Sequence, residues 1–187
     1  MSDEKRAMVF IDFDNINIPA RQNGIKYMNF NGLRNKLCEG HRAVGCTVYL
    51  HSKMASLVHQ IQKSGLEVQI ISPNKSVDGR LIFDLLTNAH DNRFDIAIIA
   101  SGDRDFVPVL QRIKSYNKEV FVASFRSNLA HALTSTADKV IYLDDIKKDI
   151  ALNLNSYTCS SCGIAFEVPF KIYSPNPLCP DCKKRTK

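Results

Sequence analysis

Five consecutive apolar residues, Ile96 to Ala100, are followed at once by Ser101-Gly102-Asp103-Arg104-Asp105-Phe106. The run is too short for an ordinary helix and rich in Ile, the pattern of a strand buried on both faces in the middle of a parallel sheet. Carboxylates at the C-terminal end of such a strand stand where open α/β sheets place their ligands. Alone, Asp103 is equally well explained as the cap of the next helix. A second strand of the same kind, residues 7–13 (A-M-V-F-I-D-F), ends in Asp12, Asp14, Asn15 and a turn N-I-N-I-P, and so repeats the signal.

Between and after these, apolar strands alternate with amphipathic segments. Helical spacing is read at Met28–Cys38, Ala55–Ser64, Asp78–His90, Phe106–Tyr116 and Asn128–Thr134. Strands are read at Arg42–His51, Leu66–Ile71, Glu119–Ser124 and Val140–Leu143, with residues 144–154 a helix or linker. Alternation of this kind implies βαβ units and right-handed crossovers over a parallel α/β sheet. If the sheet runs 3-2-1-4-5, the first and fourth strands are neighbours, and the reversal between them opens a crevice. Asp12 and Asp103 then meet there, and the helix beginning at Asp78 crosses back over the same place.

Carboxylates so gathered repel and are costly to keep ionised. A hard divalent cation relieves that, and oxygen-only ligands favour Mg²⁺ or Mn²⁺. Asn15 is placed to orient a carboxylate or a phosphate, and Ser101 to bond water or a neighbouring Asp. Asp84 is read as a salt-bridge partner or as support for the site. The five histidines show no ligand spacing.

A second module follows. Cys159-x2-Cys162 and Cys179-x2-Cys182, 16 residues apart, have the spacing of a four-cysteine structural zinc site. Two disulfides are disfavoured in a cytoplasmic chain, and a closed thiolate set leaves no position for substrate water. Cys38 and Cys46, far apart in the first module, read as buried free thiols. The domains expected are therefore 1–147 and 148–187.

The net charge of +6 is uneven. Residues 1–150 hold 20 Lys+Arg against 17 Asp+Glu, and residues 151–187 hold 5 against 2, so each part carries +3. Four thiolates around Zn²⁺ cut the second figure to about +1. The terminal Lys183, Lys184, Arg185 and Lys187 weakly favour a polyanion. Lys75, Arg80, Arg104 and Arg126 lie near strand ends, where phosphates are contacted. No apolar run is long enough for a membrane span, and an aspartate comes too early for a secretory signal; the expected location is the cytoplasm.

Three motifs in order, V-F-I-D-F-D-N, K-S-V-D-G-R-L-I-F-D and S-G-D-R-D-F-V-P-V-L, resemble the NYN domain, a PIN-like nuclease branch close to the bacterial LabA-like group. The resemblance covers roughly residues 6–145. It implies a Rossmann-like sheet and a Mg²⁺- or Mn²⁺-dependent endoribonuclease. Asp12, Asp78, Asp103 and Asp105 match the family's acidic positions, and Asn15 its motif asparagine. It implies RNA as partner, and leaves single-stranded DNA and a homodimer open. Gly79 and Arg80 depart from the more apolar residues usual after the second aspartate. The cysteine module lies outside that family's core and resembles a zinc ribbon. Two other functions fit parts of the pattern: a non-catalytic RNA-binding protein of the same fold, and a HAD-type phosphatase with Asp12 as nucleophile and Ser101 in its second motif. The phosphatase also needs a lysine and a later acidic pair, whereas Asp103 and Asp105 follow Ser101 directly.

Overall fold

Parallel pairing of six strands organises the computed structural model, which describes residues 4–185. The strands are β1 (Arg6–Asp12), β2 (Arg42–His51), β3 (Glu67–Ile71), β4 (Ile96–Ala100), β5 (Glu119–Ser124) and β6 (Lys139–Tyr142), in the order β3-β2-β1-β4-β5-β6. The expected 3-2-1-4-5 order holds, and the short last strand extends it by pairing with β5. All five residues of β4 are buried, because strands flank it and helices cover both faces.

Side chains of β1 alternate between two cores. Ala7, Val9 and Ile11 enter one with α1 (Phe13–Gln22) and α2 (Phe30–Leu37). Phe10 enters the other with α4 (Val77–His90) and α5 (Val107–Lys114), through Leu81, Leu85, Leu110 and Ile113. Asp12, two residues after Phe10, therefore points to the α4 side. The remaining helices of this unit are α3 (Val58–Lys63), α6 (His131–Thr136) and α7 (Lys147–Ile150).

One element departs from the sequence reading. The N-I-N-I-P segment is a helix, not a turn, and α1 begins directly after β1. Asp12 caps it by accepting the Asn15 N–H at 3.3 Å, while Phe13, Ile16 and Ala20 form its buried stripe. Pro19 lies inside α1 and lacks the N–H that would bond the carbonyl of Asn15. The side chain of Asn128 supplies a donor there instead, at 3.2 Å.

Contacts divide the chain into Met1–Ala151 and Leu152–Lys187. Residues 147–151 belong to the first unit: Asn29 N–H donates to Ile150 O at 2.8 Å, Met28 bridges Ala151, and Gly32 approaches Asp149 O closely enough to exclude a Cβ. The smaller unit contains the antiparallel pair β7 (Asn155–Thr158) and β8 (Ala165–Val168), and helix α8 (Pro180–Arg185). Lys187, read as part of the basic tail, lies outside the described residues. Among the described residues no helix is long and apolar enough to cross a membrane.

Candidate metal centres

At the C-terminal edge of the sheet, register aligns the first two acidic positions. Ile11 pairs with Ala100, so Asp12 stands level with Ser101, two residues before Asp103. On its other side Asp12 pairs with Tyr49 of β2. Ser76 caps α4 by accepting the Gly79 N–H at 3.0 Å, and Asp78 lies in that helix's first turn. Its spacing from Leu81 and Leu85 puts it on the face packed over β1 and β2. These elements enclose a cleft of about 450 Å³. Asp12, Asp14, Asn15, His51, Asp78, Asp103 and Asn128 are among its lining residues.

The cleft is electrostatically unfinished. Asp12 is 5% exposed, and burial pushes its carboxyl up to about 6. The Asn15 N–H opposes that rise, and the charges of Asp78, Asp14 and Asp103 add to it. Asp78 is also raised, first by burial and then by Asp103 and Asp105, while His51 acts in the opposite sense. The four lining carboxylates face one lining basic side chain, His51. Lys53 reaches Asp14 at 3.6 Å from outside that set.

Asp105 and Ser101 are not among the lining residues. Asp105 is exposed in the 3₁₀ turn Arg104–Phe106, where its N–H caps onto Asp103 Oδ1 at 3.0 Å. Ser101 is fully buried, and its hydroxyl accepts the Asp103 N–H at 3.3 Å. That bond orients the Asp103 backbone. Gly102 is needed for close approach: a Cβ there would lie 2.1 Å from Asn128 O.

Asn15 is tied down by its carbonyl oxygen. Oδ1 accepts from Gly102 N–H at 3.0 Å and from Asn128 Nδ2 at 2.6 Å. The Gly102 group can only donate, so the Asn15 amide is oriented unambiguously, and its Nδ2 donor is what remains for a ligand. Sequence reading missed Asn128 and His51 as lining residues, and it noted Asp14 at the end of the first strand without assigning it to the site. Asn128 carries no motif signal. His51 is the last residue of β2, level with Ile71 of β3, and its Nδ1 is buried without a hydrogen-bond partner.

Of the basic residues near strand ends, two are already engaged. Arg80 binds Asp84 at 3.0 Å, and Tyr49 donates to the same carboxylate at 3.0 Å. Arg126 forks onto Asp145 at 2.8 and 2.9 Å and lies over the ring of Tyr142.

The second centre is the cysteine cluster. The Sγ atoms of Cys159, Cys162, Cys179 and Cys182 all lie within 4.8 Å of one another, and Cys162 and Cys179 are 3.8 Å apart. Zn–S bonds of 2.3 Å in a tetrahedron require S···S separations of about 3.8 Å, whereas a disulfide requires about 2 Å. The backbone N–H of Cys179 foremost, then those of Cys162 and Ser161, holds the Cys159 thiol down at about 6. Hydrogen bonding among the cysteines pushes Cys162 up and Cys182 up to about 12, so without a cation one thiolate is shared by the group. The cluster thus fits a metal such as zinc. Among the described residues, no other group of three or more His, Cys, Asp and Glu brings its ligand atoms this close. The carboxylates that line the acidic cleft share it without being drawn together to that degree.

Comparison with known proteins agrees with this architecture. The family profile described as NYN domain matches residues 6–144. A crystal structure of a protein of unknown function from Vibrio parahaemolyticus superposes with a TM-score of 0.69. It is 22% identical, and the alignment covers 80% of this chain and 98% of that one. No curated protein matches.

Proposed function

The chain belongs to the NYN domain family, which has the PIN-like nuclease fold, and from that premise we propose a metal-dependent endoribonuclease. The observation that carries this reading is that Asp12, Asp78 and Asp103 line one cleft, with Asp12 buried there. Asp12, Asp78 and Asp103 would hold Mg²⁺ or Mn²⁺, with the Asp105 charge close behind. When bound, such an ion polarises a phosphoryl oxygen and lowers the pKa of an attacking water.

The protein's own groups prepare that chemistry. Asn15 offers Nδ2 to a non-bridging phosphate oxygen, since its Oδ1 is already occupied twice. Ser101 holds the Asp103 backbone from beneath. Pre-set donors and carboxylates need little reorganisation when charge develops, which is where electrostatic catalysis gains most. The four cysteines would hold one structural Zn²⁺, whose binding stabilises a unit too small to be stable from its core alone.

A HAD-type phosphatase would require a lysine in the cleft; among the described residues none lines it, and Lys53 reaches only Asp14, from outside the lining. Incubation of labelled RNA and DNA with Mn²⁺ or Mg²⁺ tests the proposal against Asp103→Asn. Internal cleavage of RNA by the wild type alone is expected. Tight RNA binding with no cleavage by the wild type in either ion would leave the binding-only alternative in its place.

A further inference from the structure

We propose that the cysteine-bearing unit carries a stacking site for the bases of single-stranded RNA, centred on Phe170. The ligand class rests on the nucleic-acid reading above, but the site is measured by binding alone.

Three large apolar side chains of this unit are conspicuously solvated: Ile164 is 62% exposed, Phe170 59% and Tyr173 90%. Phe170 forms part of a groove of about 480 Å³, with Phe166 and Val168 of β8 as further wall. Lys171 and Lys183 also line it, and no carboxylate does among the described residues. The segment is held in place. Ile172 N–H donates to the Tyr157 hydroxyl at 2.8 Å, and the Tyr157 ring packs on Phe166 at 5.9 Å. Asn176 N–H closes a turn onto Ser174 Oγ at 3.2 Å.

An aromatic ring on a tethered loop, an apolar groove and lysines at its walls match single-stranded nucleic acid. Bases stack on the ring while phosphates meet the ammonium groups. Tyr173, three residues on and almost wholly exposed, supplies a second ring face for a neighbouring base. A purely apolar partner would gain nothing from the lysines. An anionic strand uses both features.

The test uses the full zinc-loaded chain without added Mg²⁺ or Mn²⁺, and a short labelled oligouridylate in fluorescence anisotropy. Phe170→Ala and Phe170→Leu should each weaken binding about tenfold, because Leu keeps the hydrophobic bulk but removes the π-face. Zinc content should stay unchanged, showing that the unit remains folded. The dependence of affinity on salt should also be unchanged, whereas Lys171→Glu should reduce that slope by about one phosphate contact. A competitor with abasic sugars should displace the probe poorly. Phe170→Leu binding as tightly as wild type, or an abasic strand competing equally well, would overturn the stacking site, the latter by showing that the strand is held through its phosphates alone. A chain that never cleaves RNA could still pass this test, so the two proposals fail separately.

Discussion

Asn128 grips Asn15 at two points, its Nδ2 lying 2.6 Å from the side-chain Oδ1 and 3.2 Å from the backbone carbonyl. That carbonyl has lost its helical partner because residue 19 is proline. A helix defect on the chain's first acidic motif is thus repaired from the loop after β5, and the repair orients the amide facing the cleft. Asn128→Ala should cost about 1 kcal/mol of stability and lower RNA cleavage about tenfold through loss of Asn15 orientation. Pro19→Ala restores an N–H to the carbonyl. In that background the stability cost of Asn128→Ala should shrink, whereas the loss of activity should persist. A double-mutant cycle by denaturant unfolding reads the first effect, and single-turnover cleavage reads the second.

Asp12 sets a pH signature. Its carboxyl stands at about 6 in the folded chain, above the unfolded value near 4, so the native state binds more protons in that window. Its contribution to stability is then fully present below about pH 4 and is lost as pH rises through about 6. In metal-free protein at pH 8, Asp12→Asn should therefore raise stability by about 2 kcal/mol, the penalty of a buried unpaired charge. Asn still caps α1. Added Mn²⁺ should raise the melting temperature of the wild type and leave the variant nearly unmoved. A variant less stable than wild type without metal would contradict this account.

Gly102 tests the loop geometry. Ala at this position puts a methyl against a backbone oxygen, which cannot rotate away as a side chain could. A cost of about 2 kcal/mol is expected, with a larger loss of cleavage than of RNA affinity because Asp103 is displaced. Thermal unfolding and separate measurement of binding and turnover distinguish this from simple destabilisation.

The parts of this protein legible in its sequence are those whose signal is local. The run I-A-I-I-A announces a strand buried on both faces, and the pairs Cys159/Cys162 and Cys179/Cys182 announce their cluster by spacing. Helix α1 is hidden because Pro19 and the two asparagines Asn15 and Asn17 spell a turn in local propensity. Only a partner 113 residues away makes the helix tolerable. His51 escaped notice for a related reason. Nothing in V-Y-L-H distinguishes a histidine at the crevice from one at an ordinary strand end; pairing of β2 between β1 and β3 does. Ser101 was visible as a residue, but its burial and its bond to the Asp103 N–H depend on the packed loop.

Thiol accessibility separates the two units. Cys38 and Cys46 are buried in the sheet unit, and burial pushes the Cys46 thiol up to about 12, so neither supplies thiolate at neutral pH. In the cluster Cys159 and Cys179 are buried but Cys162 is exposed, so it is the proposed metal that would keep all four unreactive. Purified protein should contain one zinc per chain and titrate few thiols. A strong chelator should release the zinc and expose four thiols to a disulfide reagent, and only denaturant should expose all six. Structural zinc contributes on the order of 10 kcal/mol to such a unit, so chelation should unfold β7, β8 and α8 while the parallel sheet keeps its own melting transition. Cys179→Ser should reproduce the chelated state without chelator. Release of all six thiols together on chelation would show that the sheet also depends on the metal, against the division of the chain after Ala151.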